Sequence, residues 1–305
     1  MMNLDVELSA LFGNPLYEKI DKPSFCAYHF LTVKPERLVI KSTNGLERNP
    51  TQIINLGFGI KYDPAKSPHI LVAGGTGSGK SIFIETLIIQ FLQVGDVGDD
   101  ITEVYICDPK NSDLSQLSHY FDETHVSSSL NDIAKICRLV AEEMEARYEF
   151  MQENFKYGSS YVDHDLLPVW LVFDEMGAFQ ANGTDKNSKA IVNEVMDYIR
   201  QIILKGRQAG VFILVSSQQM SANTLNTDLR DNLGLRVALG SNSIEGYKMV
   251  FGRASPTPQP IEEKGAGFLY LQGSGKETAQ YYEAPWVDRE KYNFIEEITK
   301  YTSVS

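Results

Sequence analysis

The stretch GGTGSGKS, residues 74–81, limits what this chain can fold into more than any other feature. Gly74, Gly79, Lys80 and Ser81 satisfy the pattern Gly, four residues, Gly-Lys-Ser/Thr, whose backbone N–H groups turn inward around phosphate oxygens. Such a loop needs a strand before it and a helix after it. HILVA at 69–73 is a short apolar run of the kind a buried strand uses, and SIFIETLIIQFL after Lys80 has helical apolar spacing. Part of the motif recurs as GSGK at 273–276. There Tyr270 stands where the leading glycine belongs, and Glu277 follows Lys276 where a hydroxyl is needed. The second copy is expected to be a surface turn after the strand GFLYLQ.

The first copy predicts a nucleotide site built from Gly74, Gly75, Thr76, Gly77, Ser78, Gly79, Lys80 and Ser81. The helix N-terminus adds its dipole. Lys80 is expected to reach the β- and γ-phosphates of ATP, and Ser81 to ligate Mg²⁺. VWLVFDE at 169–175 supplies the other half: an apolar strand delivering Asp174 and Glu175 at its C-terminal end, where open α/β sheets bind ligands. Asp174 suits the magnesium shell through water, and Glu175 suits a general base for the attacking water. The alternative is that one of the pair is only a helix cap or a solvated charge. ILVSSQQ ends a further strand, placing Gln218 to bridge the γ-phosphate and that water; an ordinary polar strand end is the alternative.

Strands and helices alternate from about residue 61: strand 69–73, helix 80–94, strand 103–108, helix 129–155, strand 169–175, helix 188–210, strand 211–218 and strand 235–240. Alternation of this kind predicts an α/β fold with a mostly parallel sheet. The strands are near-continuous apolar runs, as a sheet covered on both faces requires. The strand EVYICD between the loop and the acidic pair fits the P-loop ATPases whose acidic strand is not the loop strand's neighbour. Residues 1–60 differ. SFCAYHFLTV, ERLVIKS and TQIINLGFGI read as short strands separated by turn signals. They predict a small β-rich element at 1–60 ahead of a motor domain at 61–305, unless they extend an edge of the main sheet.

A chain of 305 residues with 43% hydrophobic and 22% charged residues buries a sizeable core. Cys26, Cys107 and Cys137 are odd in number and give no disulfide framework, which favours a reducing compartment. The five histidines show no metal-ligand spacing. The N-terminus MMNLDVELSALFG has no basic n-region, and no stretch reaches the ~20 apolar residues of a spanning helix. A soluble cytoplasmic chain is expected, or a soluble piece of a longer membrane-anchored protein held at the inner face of the membrane. The net charge of −12 weighs against a simple basic-surface nucleic-acid binder but leaves room for a ring with a locally basic channel.

PHILVAGGTGSGKS, ICDPKNSDLSQL, AEEMEARYEFM, VFDEMGAF, GRQAGVFILVSSQQ and LRDNLGLRVAL occur in the order and spacing of FtsK/SpoIIIE-type motor domains. The chain resembles that family from roughly 52 to 273, and it is similar to the TcpA-like coupling proteins of Gram-positive conjugative elements. EMEARYEFM has no general phosphate-binding role, so its match is specific. The resemblance implies a RecA-like P-loop fold, a homo-hexameric ring, ATP hydrolysis at subunit interfaces and DNA drawn through the channel. It places Lys80 and Ser81 on the family's Walker A pair, Asp174 and Glu175 on Walker B, and Gln218 on the sensor glutamine. Gln219 and Met220 depart from the family's Arg-Pro. Arg236 aligns with the arginine of the family's TRIAF stretch and is a candidate for completing a neighbour's site in trans, with Arg207 and Arg230 as competitors and a surface ion pair as the alternative for each. Asp108 and Lys110 fall on the family's DPK turn. No room for a winged-helix module follows the last strand, and no anchor is present. Both point to a conjugation-type motor with relaxase or secretion-channel partners. A type VII secretion-like protein exporter and a weakly hydrolysing nucleotide-dependent scaffold are the other readings.

Overall fold

The computed structural model describes residues 4–14, 16–96, 100–218, 220 and 224–302. Helix α1 (Leu4–Phe12) lies beside a hairpin of β1 (Leu16–Lys22) and β2 (Phe25–Phe30). Strands β3 (Val39–Ile40), β4 (Ile54–Gly57) and β5 (Ile60–Tyr62) follow, the last two paired antiparallel. Then come β6 (Ile70–Gly74), the glycine-rich loop and α2 (Lys80–Leu92). A short pair, β7 (Gly95–Asp96) and β8 (Asp100–Ile101), precedes β9 (Glu103–Cys107) and β10 (Val126–Ser127). Helix α3 (Leu130–Glu153) leads to β11 (Val169–Phe173), α4 (Met176–Ala181), α5 (Lys186–Ala209) and β12 (Val211–Ser217). The chain closes with α6 (Thr227–Asp231), β13 (Leu235–Leu239), α7 (Ile244–Phe251), β14 (Ala266–Leu271), β15 (Gln280–Glu283), β16 (Trp286–Val287) and α8 (Phe294–Ile298).

Eight strands form the central sheet in the order β10-β9-β11-β12-β6-β13-β14-β15. The first six are parallel, and β14 and β15 extend the sheet antiparallel. The mixed α/β, mostly parallel architecture expected of the sequence is present. Strand β12 stands between the loop strand β6 and the acidic strand β11. The early strands do not extend this sheet: β1–β2 and β4–β5 are separate ribbons, and β3 pairs parallel with β16 near the other end of the chain.

Alternation along the strands explains the continuous apolar runs. In β11, Val169, Leu171 and Phe173 face α3 and α5, while Trp170 and Val172 face α2. Trp170 stacks on Phe91 of α2 with ring centres 3.8 Å apart. Both sheet faces are covered, so β11 is apolar throughout and polar residues come only after its C-terminal end. Helix α3 starts where the Ser129 hydroxyl accepts the Asp132 N–H, and α5 where the Asp185 carboxylate accepts the N–H groups of Asn187 and Ser188. Helix α5 ends at Gly210, whose φ of 72° suits the left-handed cap; a Cβ there would lie 2.4 Å from Cγ of Tyr161.

The second GSGK is a turn between β14 and β15, as expected. Gly273 and Gly275 both have positive φ, and Lys276 bonds Glu18 of β1 at 3.2 Å instead of facing a phosphate cavity. Gln259 clasps the same strand, accepting the Leu16 N–H at 3.1 Å and donating to the Leu16 carbonyl at 2.8 Å.

Candidate functional site

The loop leaves β6 at the C-terminal edge of the parallel strands and opens into α2 without a side-chain cap. Its last glycine, Gly79, has φ +98° and lies so close to Gly265 that an added Cβ would sit 3.0 Å from the Gly265 Cα. The Gly265 N–H donates to the Ser78 carbonyl at 3.0 Å, tying the loop to the strand after it. Residues 74–77 and 79–82 line a cavity of about 290 Å³, together with Asp113, Gln218, Lys264 and Arg289. All the loop residues expected from the sequence line it, except Ser78, whose buried hydroxyl has no partner among the described residues.

Lys80 is the centre of the polar network. Its Nζ lies 3.4 Å from Asp174 Oδ1, 3.1 Å from Glu175 Oε2 and 3.2 Å from the Ser216 hydroxyl. Lys80 and Glu175 are both buried. Burial alone would raise the Glu175 carboxyl; the Gln218 N–H, 2.9 Å from Oε1, and the Lys80 ammonium outweigh it and hold Glu175 below its usual value. Ser217 adds a hydroxyl donor to the same oxygen at 3.2 Å. Glu175 adopts φ 52°, ψ 57°, a left-handed conformation uncommon outside glycine, where β11 breaks into α4. The turn aims its carboxylate back across the sheet at β12. Glu175 does precede a helix, but its side chain makes no cap bond, so the cap alternative does not describe it.

Ser216 is one of three residues here that the sequence reading missed. Fully buried near the end of β12, it donates to Asp174 and accepts from Lys80 Nζ and from the Glu175 N–H at 3.3 Å. One donor and two acceptor sites exhaust what a hydroxyl offers. Within VFILVSSQ it reads as strand, and only the pairing of β12 with β11 reveals its neighbours. Lys264 and Arg289 were missed for the same reason: they reach the cavity from segments far away in the chain. Asp108, on the DPK turn, is fully buried and accepts N–H groups from Lys110, Ser112 and Ser115, fixing the loop after β9 that carries Asp113.

The structure does not bring the three arginines to this cavity. Arg236 faces Leu71 and Tyr270 in the first half of β13, away from the edge where the loop leaves β6. Its buried guanidinium donates to the Phe251 carbonyl at 3.1 Å, pairs with Asp231 at 3.4 Å and lies 4.7 Å from the Tyr270 ring centre. Arg230 is also buried and bound to Asp231. Arg207 is exposed at the end of α5 and donates to the Ala65 carbonyl at 2.9 Å. Gln218 is half-buried beside the cavity; Gln219 lies outside the described residues.

A phosphate-cradling loop, a buried lysine and two carboxylates on the second strand over form one constellation. Residues 46–164 match the model of the FtsK/SpoIIIE family. The chain carries an FtsK/SpoIIIE-family domain. The chain is similar to the FtsK domain-containing protein YdcQ of Bacillus subtilis (strain 168), 34% identical over 295 residues, covering 95% of this chain and 57% of that protein. It is 27% identical to the DNA translocase FtsK of Streptococcus pneumoniae, covering 78% of this chain and 33% of the relative. The chain thus spans little more than half of one relative and a third of the other. Among solved structures, the pCW3 conjugation coupling protein TcpA, in its monomer form with ATPγS, superposes with a TM-score of 0.71 at 19% identity, over 96% of this chain and 84% of that one. ATPases 2 and 3 of EssC from Geobacillus thermodenitrificans superpose at 0.65 and 19% identity, over 88% and 51%. These likenesses show the fold, a mixed α/β architecture with a large, mostly parallel sheet.

Magnesium is a hard cation that keeps several waters and takes one or two carboxylates plus substrate phosphates. The hydroxyl of Ser81 and the carboxylate of Asp174 are hard oxygen donors of that kind. No cluster of three or more His, Cys, Asp or Glu side chains that could hold a metal exists among the described residues.

Proposed function

We propose that this chain is an ATP-hydrolysing DNA translocase. The observation that carries the reading is the placement of Lys80 Nζ between Asp174 and Glu175 at the mouth of the phosphate loop. When the triphosphate enters, Lys80 turns from the carboxylates to the β- and γ-phosphate oxygens. Asp174 and Ser81 would hold magnesium, which when bound would supply positive charge against the phosphates. Glu175, kept ionised by the Gln218 N–H, takes a proton from the attacking water. Gln218 lines the cavity where its amide can orient that water.

Our reading of the whole protein is a coupling motor that feeds plasmid or conjugative-element DNA to a secretion channel, as a hexameric ring beneath the membrane with relaxase or channel proteins as partners. An arginine from the neighbouring subunit completes the charge at the γ-phosphate. Of the three candidates Arg207 alone faces solvent; Arg230 and Arg236 are buried and bonded within their own chain. No helix is long and apolar enough to cross a membrane among the described residues.

The net charge of −12 favours one competing reading, an exporter of protein cargo. ATP turnover measured with single-stranded DNA, double-stranded DNA and no DNA separates the two. Stimulation by DNA that fades steeply as salt rises is expected, because phosphate contacts release counterions. Turnover indifferent to both forms of DNA would leave protein export as the better reading.

A further inference from the structure

A second compartment abuts the phosphate cavity. It measures about 260 Å³ and includes Ile82, Pro285, Trp286 and Val287 in its lining. Gly79, Ile82, Lys264 and Arg289 line both spaces, so the two are continuous across the start of α2. Taken as one, they fall within the range of small-molecule sites, roughly 300–1,000 Å³. Trp286 is 44% exposed although its neighbours Pro285 and Val287 are buried. A large flat apolar face left open beside a phosphate site is suited to an aromatic ligand group.

We infer that this compartment receives the nucleoside of the bound nucleotide, with the Trp286 indole as the stacking surface for a purine and Arg289 and Lys264 at the junction with the phosphates. The inference rests on the ATP reading above and adds to it the part of the molecule that recognises the base.

The compartment is built by two ends of the chain. Strand β16 pairs parallel with β3, and the Trp286 N–H donates to the Leu38 carbonyl at 2.8 Å. Arg37 clamps the walls together: Nε donates to the Ala284 carbonyl at 2.5 Å, Nη2 to the Lys264 carbonyl at 2.9 Å, and Nη1 pairs with Glu263 at 3.1 Å. Arg37 therefore acts as a positioning residue that holds Trp286 and Lys264 on either side of one space.

The test uses calorimetry on the full chain with two probes, ATP and inorganic tripolyphosphate, plus tryptophan fluorescence. The chain has two tryptophans, and Trp170 is buried against Phe91, so a nucleotide-dependent change should come from Trp286. Trp286→Ala is expected to weaken ATP about tenfold, within the range of aromatic–base stacking, while leaving tripolyphosphate within about twofold. Trp286→Phe should retain most ATP affinity and lose the fluorescence change. Arg37→Ala should weaken ATP in the same selective way. ATP affinity unchanged in Trp286→Ala, or equal losses for ATP and tripolyphosphate, would overturn the nucleoside assignment and leave the phosphate site standing. Failure of the wild-type chain to bind either probe would overturn the ATP reading itself.

Discussion

The single ammonium of Lys80 is shared between two carboxylates, so on the ATP reading a triphosphate competes with both of them for it. Glu175 is then left to its N–H and hydroxyl donors, which keep it a carboxylate. Glu175→Gln is expected to bind ATP with near-normal affinity yet lose at least about 100-fold in turnover, as removal of a general base does. Fluorescent-nucleotide titration and phosphate release measure the two halves; normal turnover would show the base misassigned. Glu85, one helical turn beyond the loop, makes a pH prediction. Burial raises its carboxyl to about 7, with Arg289 lowering it and Asp113 raising it. The folded chain binds that proton more tightly than the unfolded one. The stabilisation is complete below the ordinary carboxylate value and drains away as pH rises through about 7. Glu85→Gln is expected to raise Tm near pH ~8 and to leave it unchanged near pH ~4, read by thermal melts across that range. The residues that carry this chemistry divide by how local their signal is. Lys80, Asp174 and Glu175 were legible because each stands in a short motif whose flanks declare strand or helix. Ser216 was not, since nothing but cross-strand pairing separates it from a polar residue at a strand end.

Among the elements, the apolar strands and the long helices were legible because one covered sheet imposes one pattern on all of them. The predicted helix at 188–210 is α5, Lys186–Ala209, and its stop lies where Gly210 adopts the left-handed cap. Gly210→Ala would put a methyl against the Tyr161 ring at a φ that alanine resists. A loss of about 2 kcal/mol is expected, combining backbone strain with overpacking. Chemical denaturation checks it, and an unchanged midpoint would show that Tyr161 moves aside freely. Strand β3 lies within ERLVIKS, read from the sequence as a strand, but β16 escaped because two residues carry no period, and the pairing of the two joins segments that are remote in the chain. The antiparallel β15 escaped because QYYE, buried throughout, lacks the alternation that marks a half-covered strand.

For the whole molecule, the proposed ring makes a prediction that a lone subunit does not. If neighbouring subunits share sites, Glu175→Gln chains mixed with wild type should depress ATP turnover by more than their share of the mixture. A strictly proportional fall would argue for independent subunits. The parallel ribbon of β3 and β16 bears on how such a motor can be trimmed. The family match begins at residue 46, after β3 and Arg37. A fragment cut at that point would keep the loop, the lysine and both carboxylates while discarding the strap that seats the residues around Trp286. Such a fragment should still grip inorganic phosphate chains yet treat ATP as little more than one of them.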